Sequence, residues 1–328
     1  MSFRALVTDR DEAGVVSSSL ETLEDTRLPD GDVTVDVEWA GLNYKDGLCL
    51  TGQAGLVRSF PHVAGIDFAG TVRQSSDERY RAGQKVILTG WRVGELHWGG
   101  YAERARVKAD WLVALPQGLS TRDAMVLGTA GLTAMLAINR LQGAGVVPEK
   151  GEVLVTGAAG GVGSIAIGLL ASLGYKPVAL SGRPEHGEAL IAQGAHRIVT
   201  RDEFLGEPER PLESARWAGA VDCVGGAVLG KLIKQVDQWG AVVALGNAAG
   251  IELNTTVLPF ILRGVQLIGI DSVMQPYETR MAAWKRLAEL FDPARYGAFV
   301  EEIGLEDLPA AAESILKGQI MGRRIVRP

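Results

Sequence analysis

Cysteine is scarce in this chain. Cys49 and Cys223 are the only two in 328 residues. That is too few for a disulfide framework or a four-cysteine zinc site. Positive charge is not in excess either: 33 Lys and Arg against 39 Asp and Glu leave a net charge of −6. Nucleic acid is therefore a poor partner, and an anionic ligand would need a local basic pocket. No stretch approaches 18 apolar residues without a charge, and the opening MSFRALVTDRDEAG has no charged-then-apolar-then-small signal pattern. Internal repeats and low-complexity segments are missing too. Together these absences predict a soluble cytoplasmic protein with no membrane role.

What is abundant is apolar surface and glycine. Hydrophobic residues make up 47% and glycine numbers 42. The length suggests two domains with ample cores, and the glycines suggest many tight turns or close backbone approaches. Residues 1 to about 125 read as all-β: DVTVDVEWAGLN alternates apolar and polar, and AGTVRQ, QKVILTG and YAERARV are further short strands between glycine-rich breaks. From residue 122 the rhythm changes. RDAMVLGTAGLTAMLAINRLQGAG has helical spacing. Apolar runs such as VLVTG, PVALSG, GAVDCVG and GAVVALGN then alternate with the amphipathic stretches AIGLLASLGY, GEALIAQGA and VLGKLIKQVDQWG. Runs of that kind suit a parallel sheet covered on both faces, a doubly wound α/β domain. After about 273 follow one helix, ETRMAAWKRLAELF, and two strands, VEEIG and GRRIVRP, that return to the first domain.

The segment GEVLVTGAAGGVGSIAIGLLASLG (151–174) holds the sharpest motif. A strand ends at Thr156, Gly157, Gly160 and Gly163 follow at three-residue spacing, and a helix opens. Gly157 permits a tight turn, Gly160 and Gly161 let backbone N–H groups approach a phosphate, and Gly163 lets helix and strand pack closely. With Val162, they put unpaired N–H groups and the positive end of a helix dipole at an anion. About 20 residues later an NAD enzyme places an acid for the ribose 2′-hydroxyl. Here that position reads Ser181-Gly182-Arg183. A hydroxyl and a guanidinium suit a 2′-phosphate, which an acid would repel. Arg201, after the next strand, could close over the same phosphate or the adenine. The cofactor read from these residues is NADP(H).

Seven stretches in order carry a family resemblance: LNYKDGL (42–48), FPHVAGIDFAGTV (60–72), GWRVGELHWGGYAE (90–103), GTAGLTAM (128–135), TGAAGGVGS (156–164), VALSGR (178–183) and PFILRGVQLIGIDSV (259–273). The chain resembles the medium-chain dehydrogenase/reductases, within their zinc-independent, quinone oxidoreductase-like branch and nearest its NADPH-dependent acryloyl-CoA reductases. The resemblance implies a GroES-like β-barrel domain from residues 1–125 and 273–328, a Rossmann NADP-binding domain at 126–272 and an active-site cleft. Zinc-dependent relatives carry Gly-His-Glu where this chain has Gly65-Ile66-Asp67. Cys49 is out of place for their cysteine ligand, and the histidines at 62, 97, 186 and 196 form no cluster with it. The expectation is hydride transfer without metal.

The same resemblance puts Asn43, Tyr44 and Asp46 beside the nicotinamide. Reducing a conjugated thioester needs a hydride at the β-carbon, a proton at the α-carbon and support for the enolate oxygen. Tyr44 can donate, and Asp46 can orient or recharge it, although Asp is equally a common helix cap. Leu245 and Asn247 end one sheet strand, beyond which ligands sit in open α/β sheets. Ile270 and Ser272 end the last, where the resemblance implies backbone contact with the nicotinamide amide. Arg58, Arg323 and Arg324, with Lys45, are scattered charges that could meet a CoA phosphate. His97 alone supports no role as a base. The strand VQLIGI is an edge candidate for a homodimer. These residues leave open a short 2-enoyl-CoA, a quinone or a free enal or enone as substrate, and a non-catalytic NADPH-binding sensor or structural protein.

Overall fold

In the computed structural model, which describes residues 1–206 and 208–328, the chain opens with an antiparallel hairpin, β1 (Ser2–Arg10) and β2 (Val16–Glu24). The Asp11 carboxylate accepts the N–H of Val15 at 2.8 Å, and Gly14 supplies the left-handed turn residue. The alternating segment forms β3 (Val33–Leu42), buried at both ends and followed at once by the short helix α1 (Tyr44–Leu50). Then come β4 (His62–Val63), β5 (Asp67–Ser75), β6 (Lys85–Thr89), β7 (Arg104–Val107) and β8 (Leu112–Ala114). Register shifts near Thr34 and Val37 mark bulges in the β3–β5 pairing, which bend the sheet. Phe68, Leu42, Leu88 and Tyr101 lie in the resulting core.

Helix α2 (Thr121–Gly143) is broken at Gly128, whose φ of 52° and ψ of −151° no helix contains. By length and composition α2 could cross a membrane, but 83% of its most apolar window is buried in protein. It is a core helix. Beyond it, β9 (Glu152–Thr156), α3 (Gly161–Ser172), β10 (Lys176–Ser181), α4 (Gly187–Gln193), β11 (Arg197–Thr200), α5 (Arg201–Gly206), β12 (Trp217–Asp222), α6 (Gly226–Lys234), β13 (Val236–Ala244), α7 (Leu258–Arg263) and β14 (Gln266–Gly269) alternate. Their six strands are all parallel, in the order β11-β10-β9-β12-β13-β14. Two triads wind outward from β9 and β12, so the topological switch point lies between those two strands. VLGKLIKQVDQWG is not one helix. α6 stops at Lys234 and Val236 enters β13, because parallel pairing on β12 outweighs the helical spacing; Trp239 sits there at a φ of 61°.

The chain closes with α8 (Tyr277–Leu290), α9 (Pro293–Tyr296), β15 (Val300–Gly304), α10 (Leu308–Leu316) and β16 (Arg323–Arg327). β16 pairs antiparallel with β3, Arg324 opposite Leu42, so the last strands complete the first sheet, ordered β15-β16-β3-β5-β6-β8 with β7 also on β3. Two compact units result: Met1–Thr129 with Ser272–Glu289 and Phe299–Pro328, and Ala130–Asp271 with Leu290–Ala298. The segment 290–298 thus groups with the parallel-sheet unit rather than with the returning tail. There the Tyr296 hydroxyl would stand 2.9 Å from a Cβ at Gly168 of α3.

Candidate active site

The parallel-sheet unit carries the glycine loop at the switch point. Gly157 takes a φ of 60° directly after β9, and Gly160 caps α3 without a side-chain hydrogen bond. The first N–H groups of α3, from Gly161, Val162 and Gly163, therefore have no side-chain cap, as an anion site requires. A Cβ at Gly163 would stand 2.8 Å from Cα of Ala158 and nearer still to the Gly157 carbonyl. Next door, the Thr156 hydroxyl donates to Asp222 at 2.7 Å and accepts from the Cys223 N–H at 2.9 Å. Burial pushes the Asp222 carboxyl up, against the pull of Thr156 and two backbone N–H groups. This latch ties the carboxyl ends of β9 and β12 together beside the loop. Burial, and then Asp222, raises the Cys223 thiol, so it is no ready nucleophile.

Ser181 ends β10 opposite Thr200 of β11. Its hydroxyl accepts the Arg183 N–H at 3.1 Å, fixing the turn that carries the arginine. Arg201, the first residue of α5, lies over the same turn: a Cβ at Gly182 would stand 3.4 Å from its Cζ. The structure thus brings the Arg201 guanidinium over the turn that Ser181 and the Arg183 backbone form. Leu245 is held by its N–H on the Asp222 carbonyl, and Ile270 by its N–H on the Ala244 carbonyl. Both, with the exposed Asn247, lie beyond the carboxyl ends of β13 and β14.

The other unit builds its site on α1. Asn43 is the cap residue: its backbone N–H and side-chain amide donate to one oxygen of Asp46 at 2.9 and 3.1 Å. The second oxygen of Asp46 accepts the Ile66 N–H at 2.8 Å. Asp46 is fully buried, and its pKa is pushed up to about 7, by desolvation first and by the Asp67 charge second. Its observed place is in a reciprocal capping box. Tyr44, by contrast, is 45% exposed, and among the described residues nothing bonds its phenol. α10 seats on α1 at Gly47, where a Cβ would meet Ile315 at 2.9 Å and the Ala312 carbonyl at 3.1 Å.

Arg323 proves to be a core residue rather than a surface charge. Its guanidinium donates to the carbonyls of Leu42, Val126 and Met125 and to the Asn43 side chain, and stands 3.8 Å from Asp67. Asp67 also accepts the Thr129 N–H at 2.6 Å, just past the broken turn of α2. The Tyr101 hydroxyl, raised well above its usual range by burial and the two aspartates, donates to the Gly41 carbonyl. Sequence reasoning missed Asp67, Tyr101 and the buried role of Arg323, because their partners come from distant segments. Arg324 is engaged by Glu301 at 2.5 Å, and Arg58 is exposed. His97 bonds the Arg106 carbonyl and meets the Trp111 ring edge-on, a packing role. Among the described residues no three His, Cys, Asp or Glu groups converge on a metal position.

Comparison with known proteins agrees with both units. Residues 29–117 match the alcohol dehydrogenase GroES-like domain, and residues 161–289 match the zinc-binding dehydrogenase family. Acrylyl-CoA reductase AcuI of Ruegeria pomeroyi is 55% identical over 325 residues, covering 99% of this chain and 98% of the relative. The crystal structure of the Salmonella enterica yhdH oxidoreductase in complex with NADP superposes with a TM-score of 0.96 at 52% identity, covering 100% of each chain. The Bacillus subtilis protein yhfP, crystallised with NAD bound, superposes with the same score at 43% identity, also over 100% of both chains.

Proposed function

The chain belongs to the zinc-independent medium-chain dehydrogenase/reductases, quinone oxidoreductase-like branch, and we propose that it reduces acryloyl-CoA with NADPH: acryloyl-CoA, NADPH and a proton give propanoyl-CoA and NADP⁺. The observation that carries the substrate is the 55% identity, over almost the whole chain, to a protein named acrylyl-CoA reductase. The cofactor reading is supported by the Ser181-Gly182-Arg183 turn with Arg201 over it, and by the NADP held in a relative 52% identical.

When bound, NADPH supplies the hydride for the β-carbon. The uncapped N–H groups of Gly161, Val162 and Gly163 hold the pyrophosphate, and Gly160 leaves room for it. Ser181, Arg183 and Arg201 hold the 2′-phosphate. Backbone groups at Leu245, Asn247, Ile270 and Ser272 would orient the nicotinamide. Tyr44 donates its phenolic proton toward the thioester oxygen or the α-carbon. Asp46 orients it, since the capping box fixes the first turn of α1.

The test follows NADPH absorbance with acryloyl-CoA, crotonyl-CoA, acrylate and a quinone in parallel. Fast oxidation with acryloyl-CoA alone is expected. Turnover with quinone and none with either thioester would move the protein to quinone reduction, and tight NADPH binding without any turnover would make it a sensor. The protein is further read as a cytoplasmic homodimer. Its edge strand β14 and the exposed Ile251, Val257, Ile261 and Leu262 support pairing with a second copy. Ile261→Glu should halve the mass in sedimentation analysis, and an unchanged mass would rule out that face.

A further inference from the structure

Glu95 is buried, 4% exposed, on the turn between β6 and β7. One of its oxygens lies 2.9 Å from the Lys45 ammonium, the other 3.9 Å from Nε of Arg92. One carboxylate cannot neutralise two cations. Lys45 and Arg92 keep about a third and about half of their side-chain surface open, and both retain unused N–H donors. In a chain of net charge −6, this leaves a local positive surplus.

The backbone sets that surplus in place. Trp91 and Arg92 both lie in the left-handed region, at φ of 57° and 60°, a conformation L-residues seldom adopt in succession. Such outliers persist where the surroundings over-determine them, often at functional sites. Here the Trp91 N–H is held by the Val273 carbonyl at 3.0 Å, and the Arg280 guanidinium stacks 5.1 Å from the Trp91 ring. The N–H groups of Glu95 and Leu96 then close on the Arg92 carbonyl. Lys45 follows Tyr44 on α1, so the two side chains leave the helix about 100° apart. The charge thus stands off the direction of the reacting group, where a remote part of a substrate would bind.

We infer that Lys45 and Arg92, preset by Glu95, form the subsite for the phosphate groups of coenzyme A in the substrate; this rests on the acyl-CoA reading of the active site. The test compares acryloyl-CoA with acryloyl-pantetheine, the same thioester without phosphate, on full-length wild type, Lys45→Met, Arg92→Met and the double variant. The ratio of kcat/KM values, acryloyl-CoA over acryloyl-pantetheine, should fall about tenfold in each single variant, the size of one partly exposed charge-assisted contact, and further in the double. The loss should lie in KM, and Lys45→Arg should restore the ratio. An unchanged ratio in the double variant, with wild type active on acryloyl-CoA, overturns the subsite alone. Equal losses on both thioesters also overturn it, since a merely structural latch would act on both. Wild type inactive on both thioesters but active on quinone would instead sink the acyl-CoA reading.

Discussion

Arg323 and Asp67 form an ion pair 3.8 Å apart, with side chains only 3% and 0% exposed. The arginine comes from the last strand and the aspartate from the fifth, the two strands that flank β3 in the first sheet, so the pair spans β3. Its guanidinium also binds three backbone carbonyls, which leaves little of it unsatisfied. Arg323→Met would strand the Asp67 charge in a dry site and orphan those carbonyls. The expected loss is about 3–5 kcal/mol in urea unfolding. Adding Asp67→Asn should recover part of it. A single-variant loss below about 1 kcal/mol would show that the pair contributes nothing.

The Asp46 carboxyl, raised to about 7 by burial and by Asp67, gives stability a pH dependence. Its folded pKa exceeds the unfolded value of about 3.9. The folded state therefore keeps the proton over that interval, and the resulting stability is full below about pH 4 and lost as pH rises through 7. Asp46→Asn removes the titration. From pH 4.5 to pH 8, wild type should lose Tm relative to the variant; a constant gap would mean that Asp46 ionises normally.

Gly163→Ala places a methyl group against the Ala158 Cα and the Gly157 carbonyl. α3 must shift away from β9, at a cost of about 1–3 kcal/mol. The same shift misaligns the phosphate-facing N–H groups, so NADPH affinity should fall together with Tm. Unchanged NADPH titrations would separate the loop from the cofactor.

Arg183→Ala and Arg201→Ala test the 2′-phosphate contact. Each should weaken NADPH by roughly tenfold to a hundredfold, the range of a hydrogen bond to a charged group, while NADH changes little. Equal losses for the two coenzymes in binding titrations would contradict the assignment.

Tyr44→Phe keeps the ring and removes its hydroxyl. On the proposed role, kcat with acryloyl-CoA should fall roughly a hundredfold or more, with the NADPH Kd unmoved. Wild-type turnover in that variant would remove the tyrosine from the chemistry.

Much of the parallel-sheet unit was legible in the linear chain, for a local reason. The motif from Gly157 to Gly163 needs a strand before it and a helix after it, and both announce themselves within about 25 residues. Ser181 to Arg183 follow at a spacing that one strand and one helix dictate. Even there VLGKLIKQVDQWG misled, since a helical spacing at 228–235 runs into a segment whose pairing with β12 makes it a strand.

The aspartates show where local reading stops. The sequence by itself offered Asp46 as a helix cap or a partner of Tyr44; the structure makes Asn43 the cap and puts Tyr44 and Asp46 in the first turn of α1. Whether Asp46 is wet or dry was decided elsewhere: by the Ile66 N–H, by Asp67, and by Arg323 arriving 280 residues after Asn43. Those partners meet only because β16 pairs with β3 and α10 closes over Gly47. Glu95, Lys45 and Arg92 likewise lie 50 and three residues apart, with no common periodicity. Sequence pattern determined the elements, the cofactor loop and the candidate donor, because hydrophobic spacing, glycine and capping act over short range. Only the tertiary structure decided which charges are buried together, because desolvation and ion pairing depend on what the rest of the chain brings alongside.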